Sequence, residues 1–485
     1  MKKEDKKELR QTLVCDWLND NYLQFNSLRY DELRDRLQVK CLPNPPALGG
    51  DGVWRDLTDK DLNSMVCQCV NDVQANISVT EMWTALKSDM VPTVHPLRVW
   101  LNELRPYTPD QPDWIDMVAR QVRVKNNNAE CGINKDNLNN SSASPTLLSG
   151  TGEHIYQQYQ QLEINNENNY SQASANVGRA QELSMLSSEQ TTPLSSQNNP
   201  ADRLWRACFK KWFVAMVASW MKDEVVNHQV LVLIGKQGIY KTTWLEHLIP
   251  PALRAYSSKL PLSGQITKAD RLRRCEYGML NMDELDAICG REMNIVKSLL
   301  TSTDVNERAA YGRLKERRVR LASFCASTNT REFLTAITGN RRWLPFEVES
   351  IQNPFYTTLP YELMYAEAVY LVKHDFNYWF DMEEIGVLEE HNEHFRVQDN
   401  EEQLLPILFD VPAEGKGEFM TTAQISERLV TYGNIKKPMA LNRLGILLAA
   451  HKYQKKTIGP KRVRGGLVYQ RDTNEINGNK NLYAK

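Results

Sequence analysis

Residues 230–243 read VLVLIGKQGIYKTT, an apolar run that breaks at Gly235 and resumes as Lys241, Thr242 and Thr243 at the start of a helical pattern. A buried strand that turns through glycine into a helix aims backbone N–H groups at a polyphosphate. A lysine at that point reaches the β- and γ-phosphates, and the hydroxyl after it holds magnesium. The stretch therefore reads as a phosphate-binding loop made by Gly235, Gly238, Lys241, Thr242 and Thr243, and nucleotide hydrolysis with ATP and Mg2+ is the leading expectation. The loop departs from GxxxxGK[ST] at one place: Tyr240 stands before the lysine, and the second glycine has moved forward to Gly238. Retuned phosphate geometry is one consequence; an ordinary strand–turn–helix is the plain alternative.

Three later runs fit the same chemistry. Residues 277–282, YGMLNM, end in Asp283 and Glu284, as a second core strand would; Asp283 suits the magnesium's water shell and Glu284 suits polarising the attacking water. Any buried parallel strand can end in acids, so order and spacing carry this point. Residues 319–328, VRLASFCAST, end in Asn329, placed to touch the γ-phosphate or the water from a neighbouring strand, or simply to open a turn. Residues 339–342, GNRR, lead into the apolar run 343–348, WLPFEV. Two adjacent arginines there, Arg341 and Arg342, suit an arginine finger that reaches a neighbouring subunit's nucleotide, the alternative being a solvated pair.

Taken in order, QVLVLIGKQGIYKTT, MLNMDELD, NERAAYGR, FCASTN and TGNRRWLPFEVE resemble the virulence-associated E (VirE/VapE-like) family. That family is related to the superfamily 3 helicases and to the helicase halves of phage and plasmid primases. The motifs lie within about 200–400, and the helical segment upstream is also familiar. The resemblance implies an AAA+-like α/β ATPase core with a parallel sheet, often a hexameric ring that moves on DNA, carried by mobile elements of bacteria. Residue by residue it gives Lys241 and Thr242 the Walker A roles, Asp283 and Glu284 the Walker B roles, Asn329 the sensor and Arg341 or Arg342 the finger. Tyr240 departs from the stricter helicase pattern, which bears on hydrolysis rate more than on nucleotide binding. A separate primase is a plausible partner.

Composition agrees with a soluble multidomain protein. A chain of 485 residues, 41% hydrophobic, is long enough for about three domains. It contains no apolar stretch near the roughly 20 residues needed to span a bilayer. The opening MKKEDKKELRQ is charged without an apolar core behind it, so no signal peptide, no membrane and a cytoplasmic location are expected. Nine cysteines without regular spacing argue against a disulfide framework, and no zinc-site spacing is present. His391 and His394 share a helix face, with acids around them, and read as part of a solvated helix.

A formal net charge of −1 gives no global attraction to DNA, so local patches must supply it. One is Arg313, Lys315, Arg317, Arg318 and Arg320, between the acidic strand end and the sensor strand, where related ring helicases place a DNA-contacting hairpin. The alternative is a salt-bridged turn. Arg308 and Tyr311 before it match a family motif without an assigned role. The second patch is C-terminal. Thr421 to Gln424 has capping-box spacing and opens a helix that closes near Gly433; Pro438 suits the first turn of another over 439–451, with Leu441, Leu444, Leu447 and Leu448 on one face and Arg443 elsewhere. Residues 453–469 read as two strands around a basic turn with Lys461, Arg462 and Arg464. This is a winged-helix-like pattern, which sets its second helix in a major groove and lets the wing touch phosphates; a partner-docking domain with a basic rim is the alternative.

The domain reading is a mainly helical accessory domain at 1–122, a low-complexity Asn/Ser/Gln-rich linker at 123–200, the ATPase at 201–400 and the winged-helix-like domain at 401–485. Residues 1–122 carry Trp17, Trp54, Trp83, Trp100 and Trp114 but no acidic cluster assignable to primase chemistry. The linker lacks the apolar residues needed to offset its chain entropy, and helical periodicity resumes at Leu204 and Trp205. Two functions from different classes follow. One is an ATP-driven helicase or translocase on single-stranded or forked DNA, assembled as a homo-oligomeric ring. The other is a nucleotide-switched DNA-binding initiator or regulator with little turnover.

Overall fold

Apolar residues that alternate along a strand gather on one face, and that face needs a partner layer. The computed structural model describes residues 3–41, 53–126, 200–260, 267–283, 285, 290–307, 316–335, 340–458 and 463–470. The helix Lys3–Leu18 packs Val14, Trp17 and Leu18 against a sheet made of β1 (Leu28–Asp31), β2 (Arg36–Cys41), β3 (Val53–Asp56) and β4 (Thr93–Val94), in the order β3-β2-β1-β4. Two more helices, Asp59–Val73 and Val79–Leu86, cover this core, and each starts at a reciprocal capping box, Thr58 with Asp61 and Ser78 with Glu81. The mainly helical reading of 1–122 left this sheet out. Trp54 is a strand residue, its ring lying 4.0 Å beneath the Arg29 guanidinium carbon.

The boundary expected at 122 also moves. Helices Pro96–Glu103 and Trp114–Ala119 and strand β5 (Val122–Val124) bury Leu97, Trp114, Ile115 and Val122 in the same core as Trp205, Phe209 and Trp212 of the helix Pro200–Met221. The physical reason is that β5 pairs antiparallel with the edge of the second half's sheet, so this segment cannot be separated from it without exposing that edge.

That sheet contains β6 (Val230–Ile234), β7 (Ser257–Lys259), β8 (Met279–Met282), β11 (Ser323–Thr328) and β12 (Trp343–Ile351), all parallel, in the order β5-β12-β6-β11-β8-β7. Strand β6 is buried at every position because both faces are covered. Leu231 and Leu233 join Trp244 and the Trp205 helix on one side; Val230, Val232 and Ile234 join Leu280, Phe324 and Trp343 on the other. A two-stranded hairpin of β9 (Asp304–Glu307) and β10 (Glu316–Val319) stands apart from this sheet.

The C-terminal unit follows the helices Tyr361–Lys373 and Met382–Glu393. It consists of the helix Asn400–Leu408, β13 (Phe409–Asp410), β14 (Glu418–Thr421), helices Thr422–Gly433 and Leu441–Ala450, β15 (Lys455–Ile458) and β16 (Val463–Gln470). The capping box of Thr421 and Gln424 forms as expected, and the helix it opens closes on left-handed Asn434. Leu444, Leu447 and Leu448 are buried, whereas Leu441 is exposed. The unit is fastened to the core by Arg396, whose guanidinium makes a bidentate, buried pair with Glu402. No helix among the described residues is long and apolar enough to cross a membrane.

Candidate functional site

Parallel strands deliver their carboxyl ends to one edge of a sheet, and the register fixes which residues meet there. Thr328 and Glu347 lie opposite Ile234, so the chain leaving β6 turns between the ends of β11 and β12. Gly235 donates its N–H to the Thr328 carbonyl at 3.1 Å. It has φ +154°, and a Cβ there would lie 3.0 Å from the Ile239 side chain and 3.1 Å from the Val348 carbonyl oxygen, so only glycine fits. Gly238 takes φ +86° over open space. Tyr240 takes φ +65°, the left-handed conformation glycine adopts freely and other residues enter at about 1–2 kcal/mol. The departure from the usual loop is thus one of side chain, while the backbone at 240 turns as a glycine would.

The helix Lys241–His247 starts immediately after this turn, with Trp244 N–H donating to the Tyr240 carbonyl at 2.8 Å. Lys241 is buried, and its ammonium donates to the carbonyls of Gly235 and Lys236, both at 2.7 Å, and to Asn329 Oδ1 at 3.1 Å. Alternate residues of a strand share a face. Because Met282 pairs with Ala326, Asp283 falls beside Ser327 on the face covered by this helix. Ser327 donates to Asp283 Oδ1 at 2.7 Å, Thr242 Oγ1 does so at 3.2 Å, and the two hydroxyls are 2.9 Å apart. Burial works to raise the Asp283 carboxyl, but hydrogen bonds from Ser327 and Lys259 and the Lys259 charge outweigh it and hold the group below the ordinary carboxylate value. It is ionised at neutral pH. Beneath it on the same strand face, Asn281 is buried with neither amide atom hydrogen-bonded.

Three contributors were not legible as site residues. Lys259, at the end of β7, places its ammonium 3.3 Å from Asp283 Oδ2 and 3.2 Å from Glu246 Oε1. Ser327 and Asn281 are the others. Ser327 and Asn281 lie within the runs 319–328 and 277–282, where nothing local marks them off from their neighbours; Lys259 carries no local signal, because only the strand order brings β7 to this edge.

The remaining candidates are placed elsewhere. Arg341 and Arg342 precede β12, whose first residue, Trp343, pairs with Val230. The Arg342 carbonyl accepts from Val230 N–H at 2.8 Å, at the amino end of β6, a strand's length of roughly 15 Å from Gly235. Neither arginine can serve this chain's own loop. On the hairpin, exposed Arg317 pairs with Asp304 at 2.6 Å, and Arg318 reaches Asp35 of the front sheet at 3.5 Å. Arg320 is fully buried and donates to the carbonyls of Leu300 at 2.7 Å, Leu299 at 3.3 Å and Asn227, so it leaves the expected basic patch. Arg443 pairs with Asp399 at 2.6 Å and donates to the Thr335 carbonyl at 3.3 Å, an anchor of the C-terminal unit. Arg464 is exposed on β16 beside Lys455 and Lys456 of β15, which the sequence reading passed over. Glu284, Arg308, Tyr311, Arg313, Lys315, Lys461 and Arg462 lie outside the described residues. His391 is not solvated: its Nε2 lies 2.7 Å from the Pro345 carbonyl, its ring packs on Phe346 and Phe395, and burial pushes its pKa down to about 4.

Chemically, the edge offers an ammonium and an amide to an anion, and two hydroxyls with an ionised carboxylate to a hard divalent cation, which prefers oxygen ligands. The donor set fits a magnesium-bound polyphosphate. Residues 188–397 match the family model of the virulence-associated protein E-like domain. The match encloses the whole parallel sheet except β5, and the resemblance drawn from the five motifs is borne out there. No curated protein matches the chain. Among solved structures, it is similar to an apo structure of the NrS-1 C terminal region (305-718), at 10% identity and a TM-score of 0.41, covering 92% of this chain and 97% of that one. An A form apo structure of the same region matches at 10% identity and 0.39, covering 91% and 96%.

Proposed function

We propose that this chain is an ATP-dependent DNA helicase or translocase of the VirE, superfamily 3-like type, acting in replication of a mobile genetic element. The observation that carries the proposal is the meeting of Lys241, Thr242, Asp283, Ser327 and Asn329 at one edge of a parallel sheet, after a loop whose backbone needs Gly235. In this reading Lys241 holds the β- and γ-phosphates, Thr242 and Asp283 hold the magnesium, and Asn329 senses the terminal phosphate or the water. Bound magnesium would neutralise the charge that develops on the phosphates. Glu284, next to Asp283 in sequence, accepts the proton of the attacking water. Arg341 and Arg342 act from a neighbouring subunit, because their place at the opposite edge of the sheet keeps them from this chain's nucleotide. Such an assignment requires a ring or filament of copies.

DNA contact is assigned to the β9–β10 hairpin and to the unit at 400–470, whose succession of helix, two short strands, two helices and a two-stranded basic hairpin supports a winged-helix-like reading. Arg317 and Arg464 remain the candidate phosphate contacts among the described residues. One observation favours the second reading, a nucleotide-switched initiator: a tyrosine occupies the strained position beside the lysine, where bulk can slow turnover. Unwinding of a forked duplex by the full chain separates the two. The helicase reading expects ATP-dependent strand separation that Lys241→Ala abolishes; tight duplex binding without strand separation would favour the initiator.

A further inference from the structure

The turn that follows β12 is folded onto the phosphate loop. Asn353 organises it: its carbonyl accepts from Tyr356 N–H at 3.1 Å and its Oδ1 from Phe355 N–H at 3.0 Å. Its amide nitrogen donates to the Tyr240 hydroxyl at 3.4 Å. Phe355 is thereby held edge-on to Tyr240, with ring centroids 6.3 Å apart at 81°, and edge-on to His247 at 5.9 Å and 84°. Yet its outer surface is left to water: Phe355 is 69% exposed, Tyr356 89% and Tyr240 37%. Single exposed aromatics are ordinary. An exposed ring set against Tyr240, in a turn whose Asn353 amide donates to the hydroxyl of that same tyrosine, is a platform continuous with the site.

We infer that Phe355, buttressed by Tyr240, is the surface on which the base of the bound nucleoside triphosphate stacks. This rests on the reading of the Lys241 loop as a triphosphate site. Polyphosphate bound at Lys241 leaves the ribose and base to extend past Tyr240, and aromatic faces stack on any base. The polar atoms of Asn353 are committed to Tyr240 and to the turn itself, so Asn353 does not read a base edge. Stacking alone therefore discriminates little between adenine and guanine triphosphates.

The test compares binding of ATP, GTP and inorganic tripolyphosphate, each with magnesium, to the full chain by calorimetry, for wild type, Phe355→Ala and Phe355→Trp. The expected result is ATP and GTP affinities within a few-fold of each other. In Phe355→Ala both fall about tenfold, the loss typical of one base–aromatic stack, while tripolyphosphate affinity is unchanged. Phe355→Trp retains nucleotide affinity. Unchanged ATP affinity in Phe355→Ala overturns the inference, and a simultaneous change in sedimentation would reassign the ring to a contact between copies. Equal loss of ATP and tripolyphosphate also overturns it, making Phe355 a prop for the loop. Absence of tripolyphosphate binding to wild type would instead sink the triphosphate reading beneath it.

Discussion

Arg320 separates structural charge from the charge proposed to bind DNA in the basic run 313–320. Its guanidinium caps the last turn of the helix Gly290–Thr301, whose final carbonyls have no partner within the helix. Arg274 shares the task, donating to the Leu299 carbonyl at 2.7 Å. Replacing Arg320 with methionine keeps the volume and removes the donors to Leu299, Leu300 and Asn227. The Leu299 carbonyl keeps Arg274 and the Leu300 carbonyl keeps the His228 ring nitrogen 3.1 Å away, so the acceptor orphaned is that of Asn227, at about 1–3 kcal/mol. Part of this is returned, because burial, with the Arg274 charge nearby, pushes the Arg320 pKa down to about 9, so the ion is held there at a cost. The net expectation is a destabilisation of about 1–3 kcal/mol, which for a core of this size lowers the melting temperature by roughly 2–12 °C. Arg317, 74% exposed, should behave oppositely: Arg317→Ala leaves stability within about 0.5 kcal/mol and lowers the salt dependence of single-stranded DNA binding. Circular dichroism melts beside fluorescence anisotropy across a salt series read both effects. Wild-type melting of Arg320→Met together with weakened DNA binding would refute the reasoning.

Two further outcomes follow from packing and burial. A Cβ at Gly278, just before β8, would lie 2.8 Å from the Trp220 ring, and the fully buried indole is pinned by its Nε1 donating to the Gly278 carbonyl at 3.1 Å; Gly278→Ala should cost about 1–3 kcal/mol in urea unfolding, and no loss would mean the indole can shift. Burial pushes His95 and His391 down to about 4, so both are neutral in the folded protein at pH 7. Their folded pKa values lie below the unfolded value, so stability is full above about pH 6.5 and falls as pH drops toward 4, by on the order of 2 kcal/mol per histidine. Exchanging both for glutamine should flatten the urea midpoint between pH 7 and pH 4.5; an unchanged slope would assign the loss to carboxylates instead.

The strand–turn–helix around Gly235 and Lys241, the acid that follows β8 and the asparagine that follows β11 were legible as neighbours because each pattern is local and their order along the chain is that of a parallel sheet. The helix start at Thr421 was legible for the same reason, since a capping box is complete within four residues. What escaped the sequence was set by distant pairing. Strand β5 and its two helices joined the second half's core because they cover an edge of its sheet, which no composition change announces. Lys259 reached Asp283 through strand order alone. Arg320 and Arg317 are near neighbours in a basic run, yet one is buried beneath a helix end and the other is solvated; charge runs do not reveal which of their members a neighbouring helix will claim.

The central claim is that the edge holding Lys241, Thr242 and Asp283 hydrolyses ATP in response to DNA. The direct test is steady-state ATP hydrolysis by the full chain, with and without single-stranded DNA, for wild type beside Glu284→Gln. The expected result is turnover that DNA stimulates and that the glutamine variant loses while still binding nucleotide. Nucleotide binding without turnover in the wild type, or full turnover in Glu284→Gln, would contradict it.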